Sequence, residues 1–210
     1  MNNSCLAIAA LLNQNSWSLS KGLIMDNQLL EALSIKYAPI ITNIINENVK
    51  FFRFRETIKW RFGFDERVAI FACCDRKTKI LTINIAAVDY ALRINEPLHI
   101  EYFVLHEIRH IYQYMEIDDY INNSADCNNP ELAQKWAKED KQYVPALNNE
   151  GNENPEYYKQ DLEFDAFAFA FAVMKYKYGD IPYIQKPTKY GEEFDKTVEG
   201  WCQTFQSENL

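Results

Sequence analysis

An α+β fold, in which a small antiparallel or mixed sheet packs on two apolar helices, is predicted by three features of the sequence. The stretch from Asp26 to Val49 repeats apolar residues at helical spacing, which indicates an N-terminal helical segment. Two short runs of apolar and β-branched residues, Val68 to Cys73 and Ile80 to Ala86, have the length of strands. Two longer apolar stretches that carry polar motifs follow, from Pro97 to about Met115 and from Asn154 to Gly179.

At 210 residues the chain is long enough for one well-buried core and too short for two full domains. We therefore predict a single domain over residues 1–210, with a core at about 50–179 and a C-terminal helical tail over 180–210. Residues 117–153 are polar and rich in Asn, Asp and Glu, which predicts an inserted surface segment.

Proline, asparagine and glycine mark the ends of the predicted helices. Pro39 is expected to kink or divide the first helix, because proline removes a helical N–H. Pro97 suits the first turn of its helix, and residues 129–130, Asn-Pro, predict a short helix inside the surface segment. Gly179 is expected to end the later apolar helix, and Glu192 to Phe205 forms a last amphipathic segment.

Two stretches need a choice between strand, turn and helix. The charged residues 75–77 lie between the two strand-like runs and predict a hairpin turn. Phe167, Phe169 and Phe171 alternate with alanines, which is also the period of a strand. We interpret this stretch as helix, because alanine is the best helix former and helix-ending signals lie on both sides.

Composition excludes several classes of protein. The 22 basic and 30 acidic residues give a net charge of −8, which argues against a surface built to bind nucleic acid or an anionic membrane. No stretch approaches the roughly 20 apolar residues that span a bilayer, and no Lys or Arg precedes the apolar run from Leu6 to Leu12. The five cysteines match neither a disulfide framework nor a zinc ribbon. We expect a cytoplasmic protein with reduced thiols and no membrane anchor.

The sequence from His106 to His110 has the form HExxH and lies in an apolar stretch. Residues four apart share one helix face, with Cβ atoms roughly 5–6 Å apart, so both imidazoles can reach one tetrahedral zinc. Glu107 can then accept a proton from a water molecule whose pKa the zinc lowers to about 7. His99 would lie about 10 Å further along the axis and cannot share that zinc. The alternative is a pair of core histidines that form the motif by coincidence.

A catalytic zinc site needs a third protein ligand. Glu163 and Asp165 are acids within an otherwise apolar stretch, and a buried carboxylate is costly unless it is paired or binds a metal. The two side chains would point about 200° apart on a helix, so at most one faces the zinc. We predict Glu163 as the ligand and keep Asp165 as the fallback or as a supporting acid. Both acids could instead lie on a solvent-exposed face.

These segments resemble the minimal gluzincin metallopeptidases, and within them the ImmA/IrrE-like group. The resemblance covers roughly Ile80 to Met174: a strand ending in Ile-Asn at residues 83–84, the HExxH helix, and a stretch of the form E-x-(E/D)-A-x-x-F-A from Glu163 to Ala170. It implies cleavage of a protein or peptide substrate. It also implies that an extended substrate adds to the edge of the strand before the HExxH helix.

The residue roles follow from the same resemblance. It implies that His106, His110 and Glu163 bind one Zn²⁺ and that Glu107 is the general base. Hydrolysis also needs a donor that stabilises the oxyanion. The donor candidates, chosen by their proximity in sequence alone, are Tyr112, Tyr157 and Tyr158.

A zinc-stabilised binding or regulatory module that cleaves nothing is the alternative function. Arg109 supports it, because this residue places a positive charge inside the motif. The basic aromatic run over residues 50–62 could associate such a module with DNA, since cations and aromatic rings together serve phosphate contact and base stacking. We favour the simpler interpretation, in which these aromatic residues face the core and the cations face water. Nucleic acid is therefore not an expected partner.

Overall fold

The computed structural model describes residues 27–52, 54, 57–68, 70–146, 154–184, 186–187 and 190–210. Within these residues the α-helices are α1 (Asn27–Asn48), α2 (Ile85–Arg93), α3 (Leu98–Ile121), α4 (Pro130–Asp140), α5 (Asp161–Tyr178) and α6 (Glu192–Ser207). The strands are β1 (Trp60–Gly63), β2 (Ala72–Cys74) and β3 (Leu81–Asn84). The predicted α+β class is confirmed.

The sheet is mixed and has the order β1-β3-β2. Strand β3 is central, because it pairs in parallel with β1 and antiparallel with β2. Gly63 at the end of β1 permits the parallel pairing, since a Cβ atom there would lie 2.7 Å from Thr82 Cγ2. Among the described residues of the run predicted as a strand from Val68 to Cys73, strand conformation begins at Ala72, and β2 ends at Cys74.

Asn84 ends β3 and begins α2, a helix that no sequence pattern predicted. Its side chain accepts a hydrogen bond from the Ala86 N–H at 3.1 Å and so caps the helix. The same amide donates to the carbonyl oxygens of Arg67 and Ile70 at 3.1 and 2.7 Å. The predicted strand over 80–86 therefore ends at Asn84, because this side chain satisfies the first turn of a helix.

Pro39 lies inside α1 without dividing it, contrary to the expectation of a kink or a break. Pro39 and Ile35, the residue whose carbonyl loses its helical partner, are both exposed. Water can solvate that carbonyl on the exposed face, so the helix continues to Asn48.

Helix α3 is the central element of the fold and is buried around most of its circumference. It contacts α1, α2, α4, α5 and the sheet, so many of its polar residues are buried together with its apolar ones. Pro97 precedes its first residue, as predicted, but the helix continues to Ile121 instead of ending near Met115. Ile117 is fully buried, and its burial favours the extra turns.

Helix α4 confirms the short helix predicted at Asn129 and Pro130, where the Asn129 side chain accepts from the Leu132 N–H at 3.1 Å. The helix buries Trp136 almost completely against α3 and α5. Part of segment 117–153 thus enters the core, while residues 147–153 lie outside the described residues. The domain boundaries stay a prediction.

Helix α5 confirms the helical interpretation of the alternating Phe and Ala residues. It is covered by α3 on one side and α6 on the other, so apolar residues are favoured all round. Gly179 ends it with φ 70°, as predicted. The predicted start of this helix at Asn154 was wrong, because Pro155–Lys159 forms a separate 3₁₀ helix and Gln160 is extended. The Gln160 side chain bonds the backbone of Val144, which fixes this break.

Helix α6 agrees with the amphipathic segment predicted near the C-terminus. Phe194, Val198, Cys202 and Phe205 form its buried face against α5. No helix in the described part of the chain is long and apolar enough to cross a bilayer. Cys73, Cys74, Cys127 and Cys202 form no disulfide bond.

Glu139 on α4 should contribute to the stability of α5, whose first N–H groups it caps. The carboxylate accepts from the Asp161 and Leu162 N–H groups at 2.9 and 3.0 Å. We expect Glu139→Ala to lower the free energy of unfolding by about 1 kcal/mol in urea denaturation. Lys138→Ala, an exposed change on the same helix, should alter it by less than about 0.5 kcal/mol. Equal effects of the two variants would contradict a capping role.

Candidate metal centre

His106, His110 and Glu163 form a buried cluster between α3 and α5 that could hold a metal ion. The two His Nε2 atoms lie 3.1 Å apart. Glu163 Oε2 lies 3.4 Å from His106 Nε2, and Glu163 Oε1 lies 3.5 Å from His110 Nε2. The exposed fractions are 3% for His106, 1% for His110 and 0% for Glu163. The structure therefore brings the three predicted ligands together from two helices.

These separations fit the ligand shell of zinc. Two ligand atoms that each lie about 2.0–2.1 Å from a tetrahedral zinc are separated by roughly 3.3 Å. The three separations of 3.1, 3.4 and 3.5 Å are close to this value. The ligand atoms thus suit a small divalent cation with nitrogen and oxygen ligands, although the set does not identify the metal.

The charges in the cluster also favour a cation. Burial disfavours an ionised Glu163, but His110 and His106 hold the pKa of this carboxyl well below its usual range. Burial alone would lower the pKa of His110, whereas the Glu163 carboxylate raises it to about 9. Burial lowers the pKa of His106, so this ring stays neutral. A carboxylate buried between two imidazoles needs a positive charge beside it, and either a proton or a metal ion can provide that charge.

Two tyrosine hydroxyls complete the surroundings of Glu163. Tyr143 Oη donates to Glu163 Oε1 at 2.8 Å, and Tyr157 Oη donates to Glu163 Oε2. Burial and the Glu163 charge raise the pKa of both phenols well above the usual value, so both remain donors. Tyr143 lies in the segment after α4, and no sequence pattern predicted its position here because it is 20 residues from Glu163.

Glu107 lies on the same turn of α3 and is almost completely buried. Burial raises the pKa of its carboxyl well above the usual range, and the nearby His110 offsets part of the increase. The Cys74 N–H donates a hydrogen bond to this carboxylate. Among the described residues, no group bonds to Glu107 Oε2. One oxygen is thus held by β2, and the other has no protein partner there.

Among the described residues β2 is an outer strand of the sheet, and its outer edge lies next to Glu107. Phe71 and Asp75 make the backbone hydrogen bonds to β3, so alternation directs the N–H and C=O groups of Ala72 and Cys74 away from β3. The resemblance had implied that the strand before the HExxH helix offers its edge. That strand is β3, whose two edges are already paired, so this expectation was wrong.

Asp165 and Arg109 lie away from the ligand cluster. Arg109 Nε and Nη2 donate to the Asp165 carboxylate at 2.8 and 3.2 Å. The guanidinium contacts one aromatic ring from each of four helices, at 4.5–5.8 Å from the ring centres: Tyr112, Trp136, Phe169 and Trp201. Asp165 therefore has a cationic partner, and the charge of Arg109 does not point toward the predicted ligands.

His99 and the tyrosines considered as oxyanion donors lie at different distances from the ligand cluster. His99 is not part of the ligand cluster, and its ring bonds Glu96 and the Tyr183 carbonyl at 3.1 and 3.2 Å. Tyr112 contacts Arg109, on the side away from the ligands. Of the three tyrosines considered as oxyanion donors, Tyr157 reaches the cluster directly, because its hydroxyl donates a hydrogen bond to Glu163.

The basic aromatic run does not present its first rings to the surface. Phe51 and Phe52 are buried in the core, and Phe52 contacts the Phe169 ring at 4.7 Å between centroids. These rings cannot stack on bases without unfolding this part of the chain. Arg53 and Arg55 lie outside the described residues.

The chain matches no family model, no curated protein and no solved structure. The fold and the site therefore show only the general class of the protein. It is an α+β protein with a buried His/His/Glu cluster that could hold a metal ion.

Metal content provides a direct test of the cluster. Elemental mass spectrometry on wild-type protein supplied with zinc should find about one divalent metal ion per chain. His106→Ala and Glu163→Ala should each lose the metal, because each removes one of the three ligand atoms. His99→Ala is the matched control on the same helix and should keep it. Zinc retained in both ligand variants, or absent from wild type after zinc is supplied, would contradict this site.

Proposed function

We propose that the protein is a zinc-dependent metallopeptidase of the gluzincin type, similar to the ImmA/IrrE-like group, that cleaves a protein or peptide in the cytoplasm. The proposal is carried by one observation: His106, His110 and Glu163 form a buried cluster beside Glu107 on an HExxH helix. Two imidazoles and one carboxylate form a ligand set of catalytic zinc sites, which leave one position open for water or substrate.

Glu107 has the properties of a general base in this reaction. A zinc ion held by the three ligands supplies a Lewis acid that polarises a water molecule and the peptide carbonyl. Glu107 Oε2 has no partner among the described residues and can accept the proton of the attacking water. Its pKa is raised by burial, which strengthens a carboxylate as a base. The same carboxyl can then deliver the proton to the leaving amine.

The Tyr143 hydroxyl is the donor best placed to stabilise the oxyanion. Its O–H donates to Glu163 at 2.8 Å, so the hydroxyl lies at the cluster and can turn from this carboxylate to an oxyanion formed there. Tyr143 is partly exposed, whereas Tyr157 is fully buried. A substrate can therefore reach the Tyr143 hydroxyl more readily than that of Tyr157.

The outer edge of β2 is the place where an extended substrate would add, and since Ala72 and Cys74 are 3% and 2% exposed there, neighbouring groups would have to move to admit it. The backbone groups of Ala72 face away from β3, and Cys74 on the same edge already bonds Glu107. A peptide that adds to this edge as a strand would lie next to the general base. Main-chain hydrogen bonds would supply affinity that depends little on the peptide sequence.

Replacing Glu107 should separate metal binding from hydrolysis. Glu107→Gln keeps the size of the side chain but cannot accept the proton. We expect wild-type zinc content and at least about a 100-fold loss of cleavage in a peptide-library digest analysed by mass spectrometry. A chelator should abolish wild-type cleavage, and added zinc should restore it. Unchanged cleavage by Glu107→Gln would exclude the proposed mechanism.

Tyr143→Phe should lower kcat by about 100-fold or more at saturating zinc, because it removes one donor to the oxyanion. Tyr157→Phe is the matched control. It removes the corresponding hydrogen bond to the other Glu163 oxygen, so the two variants should weaken zinc binding alike while only Tyr143→Phe reduces kcat. Equal kcat values for the two variants would show that Tyr143 acts only on Glu163.

The alternative is a zinc-stabilised binding or regulatory module that cleaves nothing. It is favoured by the burial of the ligands, since His106 and His110 are 3% and 1% exposed and leave little access for a substrate. Thermal melts with and without chelator, run beside the digest, distinguish the two functions. Zinc-dependent stability without cleavage of any peptide would support the module.

A further inference from the structure

A buried chain of hydrogen bonds leads from His110 to Arg109, two residues of the HExxH motif that lie on different sides of α3. His110 Nδ1 is 2.7 Å from Gln113 Oε1. Gln113 Nε2 donates to Asp165 Oδ2 at 2.8 Å and to the Leu162 carbonyl at 2.9 Å. Arg109 donates twice to the same Asp165 carboxylate. The chain crosses from α3 to α5 and returns to α3.

The surroundings of Gln113 fix the orientation of its amide. The Leu162 carbonyl and the Asp165 carboxylate only accept hydrogen bonds, so both must face the NH₂ group. The amide oxygen then faces His110 Nδ1, which must carry a hydrogen to donate. In the neutral ring this arrangement leaves the lone pair on Nε2, the atom that faces His106 and Glu163.

Arg109 in turn fixes Asp165. The guanidinium is nearly buried and is surrounded by four aromatic rings, so it has little freedom to turn away. Its two donors engage both oxygens of the carboxylate. Without this pair, Asp165 could rotate and the Gln113 amide could flip, which would offer His110 a donor instead of an acceptor.

We propose that Gln113, Asp165 and Arg109 are positioning residues that set the tautomer and ring orientation of His110 for metal binding. This inference rests on the metal centre of the proposed function but does not depend on peptide hydrolysis. It gives a role to Arg109, the positively charged residue inside the HExxH motif. His106 differs, since its Nδ1 has no partner among the described residues and its ring packs on Phe167 at 4.2 Å between centroids. The chain thus acts on one histidine only.

Cobalt titration of the intact protein tests the proposal without an activity assay, because Co²⁺ reports both affinity and ligand geometry by visible absorption. Gln113→Met keeps the side-chain length but removes the acceptor and both donors. It should weaken cobalt binding by about 10–100-fold and change the visible spectrum. Arg109→Lys keeps the charge but not the paired donors. It should also weaken cobalt binding and change the visible spectrum, but less than Gln113→Met does.

Glu101→Gln is the matched control for general destabilisation. Glu101 is also buried on α3 and bonds Asn48 and Tyr178, but it lies outside the chain from His110 to Arg109. This variant should lower the melting temperature while cobalt affinity and spectrum stay at wild-type values. If Gln113→Met binds cobalt like wild type, or if Glu101→Gln weakens binding equally, the proposal is overturned.

The outcomes for wild type separate this inference from the proposed function. Wild type that binds cobalt but cleaves no peptide would contradict hydrolysis and leave the positioning of His110 supported by the variant data. Wild type that binds no cobalt would overturn both the metal centre and the positioning role.

Discussion

The packing of α3 against α5 is the contact on which the rest of the structure depends. Residues of rising number along α3 meet residues of falling number along α5, so the helices are antiparallel: Glu101 bonds Lys177 and Tyr178, Arg109 bonds Asp165, and Gln113 bonds the Leu162 carbonyl. A shift of one residue between the helices would rotate side chains by about 100° and separate the buried carboxylates from their partners. Since a buried charge that loses its partner costs about 3–5 kcal/mol, the polar contacts fix the register of the apolar interface.

Three carboxylates near this interface have the same chemistry and different surroundings. Glu163 lies between two histidines, which hold its pKa well below the usual range. Glu107 has no such pairing, and burial raises its pKa well above the usual range. Asp165 is paired with Arg109 of α3. Environment thus separates a metal-ligand candidate, a base candidate and a supporting acid.

The sequence predicted the type of most helices and strands better than their ends. Pro97, Asn129 and Gly179 act locally, because each adjusts the backbone of its own helix terminus, and the structure has them where predicted. Tertiary contacts decided the other ends: the core buries Ile117 and lengthens α3, and Gln160 bonds Val144 and shortens α5 at its start. Asn84 ended a strand early because its side chain could cap α2.

The sequence by itself determined which residues could share a helix face, since the spacing of His106 and His110 and the angle between Glu163 and Asp165 follow from helical geometry alone. It also determined the α+β class, through the period and length of its apolar runs. Only the tertiary structure decided which faces meet. Tyr143 reaches Glu163, Cys74 reaches Glu107, and Arg109 turns toward Asp165 because separate segments pack together. These contacts depend on the register of helices and strands distant in sequence, which no local pattern records.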